Sequence, residues 1–287
     1  VELDVTHVTT FRYTAPVRDS VNEVRLKPRT DGSQVCLDFR LATTPASEPR
    51  GYTDYFDNVV HVFDIQEPHT VLEITARSRV VTHAPARPPG LDTLPDAYAA
   101  VTPEEAGELT EYLQPTPRTR WDAAIHAFAF GLRDGRAGES LGRLVWRLAH
   151  ELYQRFEYVP GATDVGTIAA EAFAARRGVC QDYTHVALAA ARSLGIPARY
   201  VSGYFHQGAG GEVGEQASHA WLELWFPRSG WIGVDPANDR VVNDRYVRVA
   251  YGRDYADVTP IKGSYRGSGA SSLDVDVTVG AGRQAQQ

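Results

Sequence analysis

Between Cys180 and Gly195 the chain spells a helix with almost no bulk on it. Tyr183, Ala187, Ala190, Ala191 and Leu194 recur at helical spacing, Gly195 then ends the helix and Pro197 prevents its resumption. A stripe of small residues lets a helix lie deep and lets a sheet approach closely. Strand patterns follow it: Ile196–Phe205, then Ser218–Phe226, then Trp231–Pro236, the last two joined by the turn sequence Pro227-Arg228-Ser229-Gly230. A deep helix followed by a run of strands predicts an α+β domain with helices packed on an antiparallel sheet.

Chemistry-bearing residues fall at the ends of these elements. Cys180 is one of two cysteines and opens the helix, where unpaired N–H groups and the positive end of the dipole favour thiolate over thiol. The same N–H groups suit an oxyanion. Gly178, just upstream, permits a turn that a Cβ would resist. Alternation along the second strand puts His219, Trp221, Glu223 and Trp225 on one face and Ala220, Leu222, Leu224 and Phe226 on the other. Asp235 ends the third strand. A thiol, an imidazole and a carboxylate in this order meet the needs of nucleophilic acyl transfer: the imidazole takes and returns a proton while the carboxylate fixes its tautomer. Two other readings stay open on the residues alone. Cys180 is a buried structural cysteine in the first. In the second the three side chains hold zinc with one open position, an uncommon one-of-each ligand set.

Four motifs together carry a resemblance. Gly178-Val179-Cys180, Gly195-Ile196-Pro197-Ala198-Arg199-Tyr200, Ser218-His219-Ala220-Trp221 and Val234-Asp235-Pro236 resemble, in order and spacing, the transglutaminase-like core, a papain-like fold. Upstream, His7, Tyr13, Pro16-Val17, Ser20-Val21-Asn22-Glu23-Val24-Arg25-Leu26 and Pro28-Arg29 resemble the β-rich domain that precedes this core in many bacterial proteins. The resemblance covers roughly residues 1 to 262. It implies that Cys180, His219 and Asp235 serve as nucleophile, base and orienting acid. Family position also makes Tyr158 a second oxyanion donor beside the Cys180 N–H, with a core aromatic as the alternative, and Trp146 a weaker candidate. Gln181 and Asp182 are assigned to shaping the first helical turn or binding substrate, Trp221 to walling the cleft, and His185 to no chemistry. No metal or cofactor is expected, because no dense acidic loop supports the calcium dependence of the animal enzymes. One conflict stands out. A tight turn at Arg228-Ser229 pairs residue 227 with 230 and sets Asp235 opposite Leu222, about 10 Å along the strand from His219. That register puts Asn238 opposite His219 and makes it the alternative orienting group.

Residues 1–84 read as all-β: Leu3, Val5, His7, Thr9, Phe11 and Tyr13 alternate with mostly polar neighbours, and similar patterns return at Val35–Leu41 and Leu72–Ala76. A β-sandwich-like domain is expected there. Cys36 falls on the polar face of its strand and is given no role. A proline-rich linker occupies 85–101, the catalytic core 102–262, and a last strand with a flexible tail 263–287. Helices are predicted at 103–113, 120–132, 139–155 and 167–176, the first opened by Thr102-Pro103-Glu104-Glu105. Arg176 and Arg177 end the fourth, and would favour a thiolate if they approached Cys180. Ala250–Pro260 reads as a polar and aromatic segment near the cleft or as a surface loop.

Net charge and composition narrow the partners. A charge of -7 with no basic run argues against nucleic acid, and no stretch approaches the length of a membrane span. Two cysteines make no disulfide framework, and a reactive Cys180 must stay unpaired, so the reducing cytoplasm is the expected compartment. Met is absent even from position 1, which leaves a removed leader open. The expected activity is a cysteine-dependent amide hydrolase or acyltransferase, of peptidase, isopeptidase or transglutaminase type, acting on a peptide or protein through a thioester. The alternative is a non-catalytic module that holds a peptide in the same cleft. Oligomeric state is left open.

Overall fold

The computed structural model describes residues 1–83, 91, 94, 96–98, 103–136, 138–207 and 218–282. The proline-rich stretch 84–90, most of the glycine-rich loop after Phe205, Thr102 and the last five residues lie outside the described set. The first region contains β1 (Glu2–Val24), β2 (Gln34–Thr44), β3 (Arg50–Thr53), β4 (Val59–Ile65) and β5 (His69–Thr82). The second contains α1 (Pro103–Leu113), α2 (Ala123–Gly131), α3 (Leu141–Arg155), β6 (Glu157–Tyr158), α4 (Ala169–Ala175), β7 (Arg177–Gly178) and α5 (Cys180–Ser193). It continues through β8 (Ala198–Phe205), β9 (His219–Phe226), β10 (Gly230–Asp235), β11 (Arg240–Val241), β12 (Tyr246–Gly252) and α6 (Tyr255–Val258). Finally β13 (Ile261–Arg266) and β14 (Ser271–Ala281) close the chain.

The long strand β1 organises the first region. Its first half lies between β5 and β14, and its second half between β4 and β13. Register shifts between Arg12 and Val17, and between Arg18 and Val21, mark where the strand bends. The sandwich-like expectation is thus met by one continuous antiparallel sheet that curls over itself. Tyr13, Val17, Phe63, Leu72 and Ile74 fill the space between its layers. The alternation of Leu273–Val279 does bring the chain's end back to this sheet, and β13 joins it as well.

In the second region a five-stranded sheet runs β11-β10-β9-β8-β12, with every described pair of neighbours antiparallel. Helix α5 lies on it and is buried from Gln181 to Arg192, so its small residues do what their size suggested. Ala187, Ala190 and Ala191 pack in one core with Ala220, Leu222, Leu224 and Phe226 from β9. The predicted stripe of α3, Leu141 to Leu152, is buried in that core too. Helix α2 starts where Asp122 accepts two backbone N–H bonds of 2.9 Å, and α3 where Ser140 caps Arg143. Polar links tie the curled sheet to strands β8 and β12 of the core sheet. His7 Nδ1 shares a 3.0 Å bond with the Tyr204 hydroxyl, and the Gln34 amide both donates to and accepts from the Arg248 backbone at 2.8 Å.

Candidate active site

The helix start is braced from within. The Asp182 carboxylate reaches back to accept from the Val179 N–H at 2.7 Å and takes the Thr163 hydroxyl at 2.6 Å. Burial raises its pKa, against the effect of those bonds. This explains Gly178 differently from the sequence. Its backbone is not in the left-handed region; a Cβ there would lie 2.4 Å from an Asp182 oxygen. The glycine makes room for the carboxylate that caps the helix of Cys180.

His219 begins β9 and Asp235 ends β10, and the hairpin register brings them together. Gly230 pairs with Phe226 and Val234 with Leu222, so the loop holds three residues rather than two. One step further along that register Asp235 falls beside Trp221, not Leu222. A shift of one residue moves a strand's side chains to the opposite face, and here it puts Asp235 on the face of His219. The 10 Å gap expected from a tight turn does not exist. His219 Nε2 bonds Asp235 Oδ2 at 2.7 Å. Asn238 donates to the same oxygen at 2.7 Å and lies 3.4 Å from Nε2. Both candidate orienting groups therefore lie at the imidazole, with Asn238 bonded to the carboxylate.

Asp235 has no exposed surface. Such burial raises a carboxyl pKa, yet bonds from His219, Asn238 and the Tyr246 hydroxyl, at 2.7 Å each, hold it below its ordinary value. Its other oxygen accepts the Ala237 N–H at 3.0 Å. The remaining imidazole nitrogen, Nδ1, is left for the thiol, and Cys180 is near enough to the ring to raise its pKa. Burial works against charging His219, but Asp235 and Cys180 overcome it and raise its pKa to about 10. Among the described residues no three His, Cys, Asp or Glu side chains gather as a metal site.

Other predicted residues divide. Tyr158 pairs in parallel register with Gly178, which brings it to the helix start, and its ring lies 6.3 Å from that of Tyr183. Gln181 is buried in the first turn of α5. Trp221 is a correction: it is 0% exposed and lines no surface that a substrate could touch. Its indole lies under the imidazole, 6.2 Å between centroids, and against Gly203, where a Cβ would come within 2.6 Å of the ring. Arg176 and Arg177 are exposed. His185 is wholly buried, accepts the Tyr255 N–H at 3.3 Å, and is pushed down to about 3 by burial and two arginines.

The sequence reading missed Tyr246 and His150. The first opens β12 on the face of His219 and Asp235 and donates to Asp235 Oδ2. The second bonds Asp239 at 2.7 Å and stacks on Trp146.

Residues 3–81 match the bacterial transglutaminase-like N-terminal region, and residues 128–236 match the transglutaminase-like superfamily. An uncharacterized protein of Mycobacterium leprae is 37% identical over 284 residues, covering 96% of this chain and 97% of its own length. The chain belongs to the bacterial transglutaminase-like family. An uncharacterized protein of Mycobacterium tuberculosis is also 37% identical, with 96% and 91% of the two chains covered. A protein-glutamine gamma-glutamyltransferase of Pseudomonas aeruginosa is 32% identical over 140 residues, 42% of this chain and 20% of that one. The crystal structure of a candidate cysteine protease of Cytophaga hutchinsonii covers 100% of this chain and 92% of its own, with a TM-score of 0.78 at 21% identity, and shares the fold. This transglutaminase-like fold is that of a family of cysteine enzymes. In the present family member Cys180, His219 and Asp235 all fall inside the matched core, whereas Tyr246 lies beyond its end.

Proposed function

We propose that this protein is a cysteine-dependent amide hydrolase or acyltransferase that works through a thioester on Cys180. The observation that carries the reading is the 2.7 Å bond from His219 to a buried, ionised Asp235, with Cys180, at the start of a central helix, acting on the same imidazole. The His219 cation stabilises the thiolate, which attacks a peptide-type carbonyl carbon. The Cys180 N–H and the Tyr158 hydroxyl receive the oxyanion. As the C–N bond breaks, His219 gives its proton to the departing amine and leaves a thioester. Water or a second amine then attacks, His219 takes its proton, and the thiolate departs. Asp235 holds the ring in the tautomer that presents Nδ1 to sulfur, and Asn238 and Tyr246 hold Asp235. The substrate is a peptide or protein. Hydrolysis and transfer share every step up to the thioester.

The test is the rate of iodoacetamide alkylation of Cys180 against pH, in a Cys36→Ser background, with and without His219→Ala. A thiol that reacts fast near pH 5–6 and loses that reactivity without His219 supports the ion pair. One that titrates near the free value of about 8.5 returns the protein to the role of a binding module. Mass analysis of a glutamine peptide incubated with and without a primary amine then separates transfer from hydrolysis.

A further inference from the structure

Away from the triad, the far end of the same hairpin builds a second pocket of about 260 Å³. Trp225 and His219 are six residues apart on β9, about 20 Å along the strand. Aromatic rings from separate parts of the chain converge on it: Tyr55 and Phe56 from the curled sheet, Tyr112 from α1, and Trp225 and Trp231 from the hairpin. Tyr112 packs edge-on against Trp231 at 5.1 Å, and Trp225 does so at 5.5 Å. Tyr55 stands at the rim, 80% exposed. Rings gathered around an open hollow, rather than closed on each other, are the composition of a recognition site.

Charged groups of both signs, Arg199 and Asp57, line the same pocket. Glu223, 1% exposed, is shared by two guanidiniums, Arg199 at 2.5 Å and Arg248 at 2.5 Å. One carboxylate thus faces two fixed positive charges, and Arg199 is the one that lines the pocket. It uses Nε and one terminal nitrogen on Glu223 and is sandwiched between Trp231 and Tyr251, at 4.3 and 3.8 Å from their centroids. Among the described residues its Nη1 has no hydrogen-bond partner. The Trp225 indole N–H is buried and likewise without a partner. Asp57 lines the pocket and supplies an acceptor.

We propose that this pocket binds the C-terminal residue of a peptide, one with an aromatic or bulky apolar side chain. Arg199 Nη1 takes the carboxylate, Asp57 accepts the amide N–H, and the rings enclose the side chain. A locked, planar guanidinium with one free edge selects a carboxylate over a neutral amide. The site is independent of whether Cys180 is catalytic, and its test does not use turnover.

The probes are N-acetyl-L-phenylalanine, its C-terminal amide, N-acetylglycine and a methyl glucoside, titrated calorimetrically into the full chain. The acid is expected to bind at least about tenfold more tightly than the amide and than N-acetylglycine. Trp225→Ala and Tyr55→Ala should each weaken it by about fivefold or more. Tyr55 is at the rim, so its removal leaves the fold intact. Equal binding of acid and amide, preference for the glucoside, no binding at all, or an affinity that neither variant moves would each overturn the proposal.

Discussion

Asp235 and Glu223 lie on one hairpin, both out of water, but they keep different company. Glu223 is held by two arginines whose charges are fixed at any ordinary pH, and these bring its pKa down to about 2 although burial pushes the other way. Asp235 is held by an imidazole, an amide and a phenol. The first set can only clamp, joining β9 to its neighbours β8 and, through Arg248, to β12 and Ser33 of the curled sheet. The second contains an imidazole, which can carry a proton or give it up, and in the proposed reaction the same type of buried carboxylate orients it. Burial of an acid, then, does not mark a catalytic position. The titrating ability of its partner does.

Substitution should separate the two carboxylates cleanly. The largest effect is expected from Asp235→Asn, which removes the orienting charge and invites the wrong tautomer. Cys180-dependent turnover should fall on the order of 10³-fold or more, and fast alkylation near pH 6 should vanish. Glu223→Gln should instead leave the alkylation profile in place and cost about 3 kcal/mol of stability in denaturant unfolding. Equal shifts of the alkylation profile in both variants would break the comparison.

Acid titration sharpens it. With its folded pKa depressed to about 2 against an ordinary 4.5, Glu223 contributes stability that is fully present above pH 4.5 and lost as pH falls toward 2. His219 has the opposite sign: raised from 6.5 to about 10, it contributes stability present below pH 6.5 and lost as pH rises through 10. Unfolding followed across both windows should show the acid-side loss diminished in Glu223→Gln and the alkaline-side loss diminished in His219→Asn. The smallest effect belongs to Tyr246→Phe. It removes one of the donors to Asp235 Oδ2 and keeps the ring, so about 1 kcal/mol and a several-fold loss of rate are expected. A wild-type rate in this variant would show that Asn238 and His219 suffice.

Much of the site could be read before any coordinates. Cys180 at a helix start, His219 on a strand face and Asp235 at a strand end follow from periodicity and turn residues, which are local signals. Register was not legible. The turn Pro227-Arg228-Ser229-Gly230 admits a two-residue or a three-residue loop, and only packing of both strand faces selects the second, which puts Asp235 on the side of His219. Trp221 was misread for a related reason. A residue two places from the candidate base in sequence looks like part of a cleft, but packing set it under the imidazole, against Gly203.

By itself the sequence determined most of the helices and strands, though not β12, α6 or β13, and also that α5 must be central and which three side chains were candidates for the chemistry. Each of these depends on a residue's own volume, charge and spacing from near neighbours. Tertiary structure alone decided that one curled sheet forms the first region, that Tyr246 braces Asp235, that Gly178 yields to Asp182, and that rings from distant segments meet around Arg199. Those contacts join residues far apart in the chain, and their free energy exists only once the intervening chain has been ordered and the shared core closed.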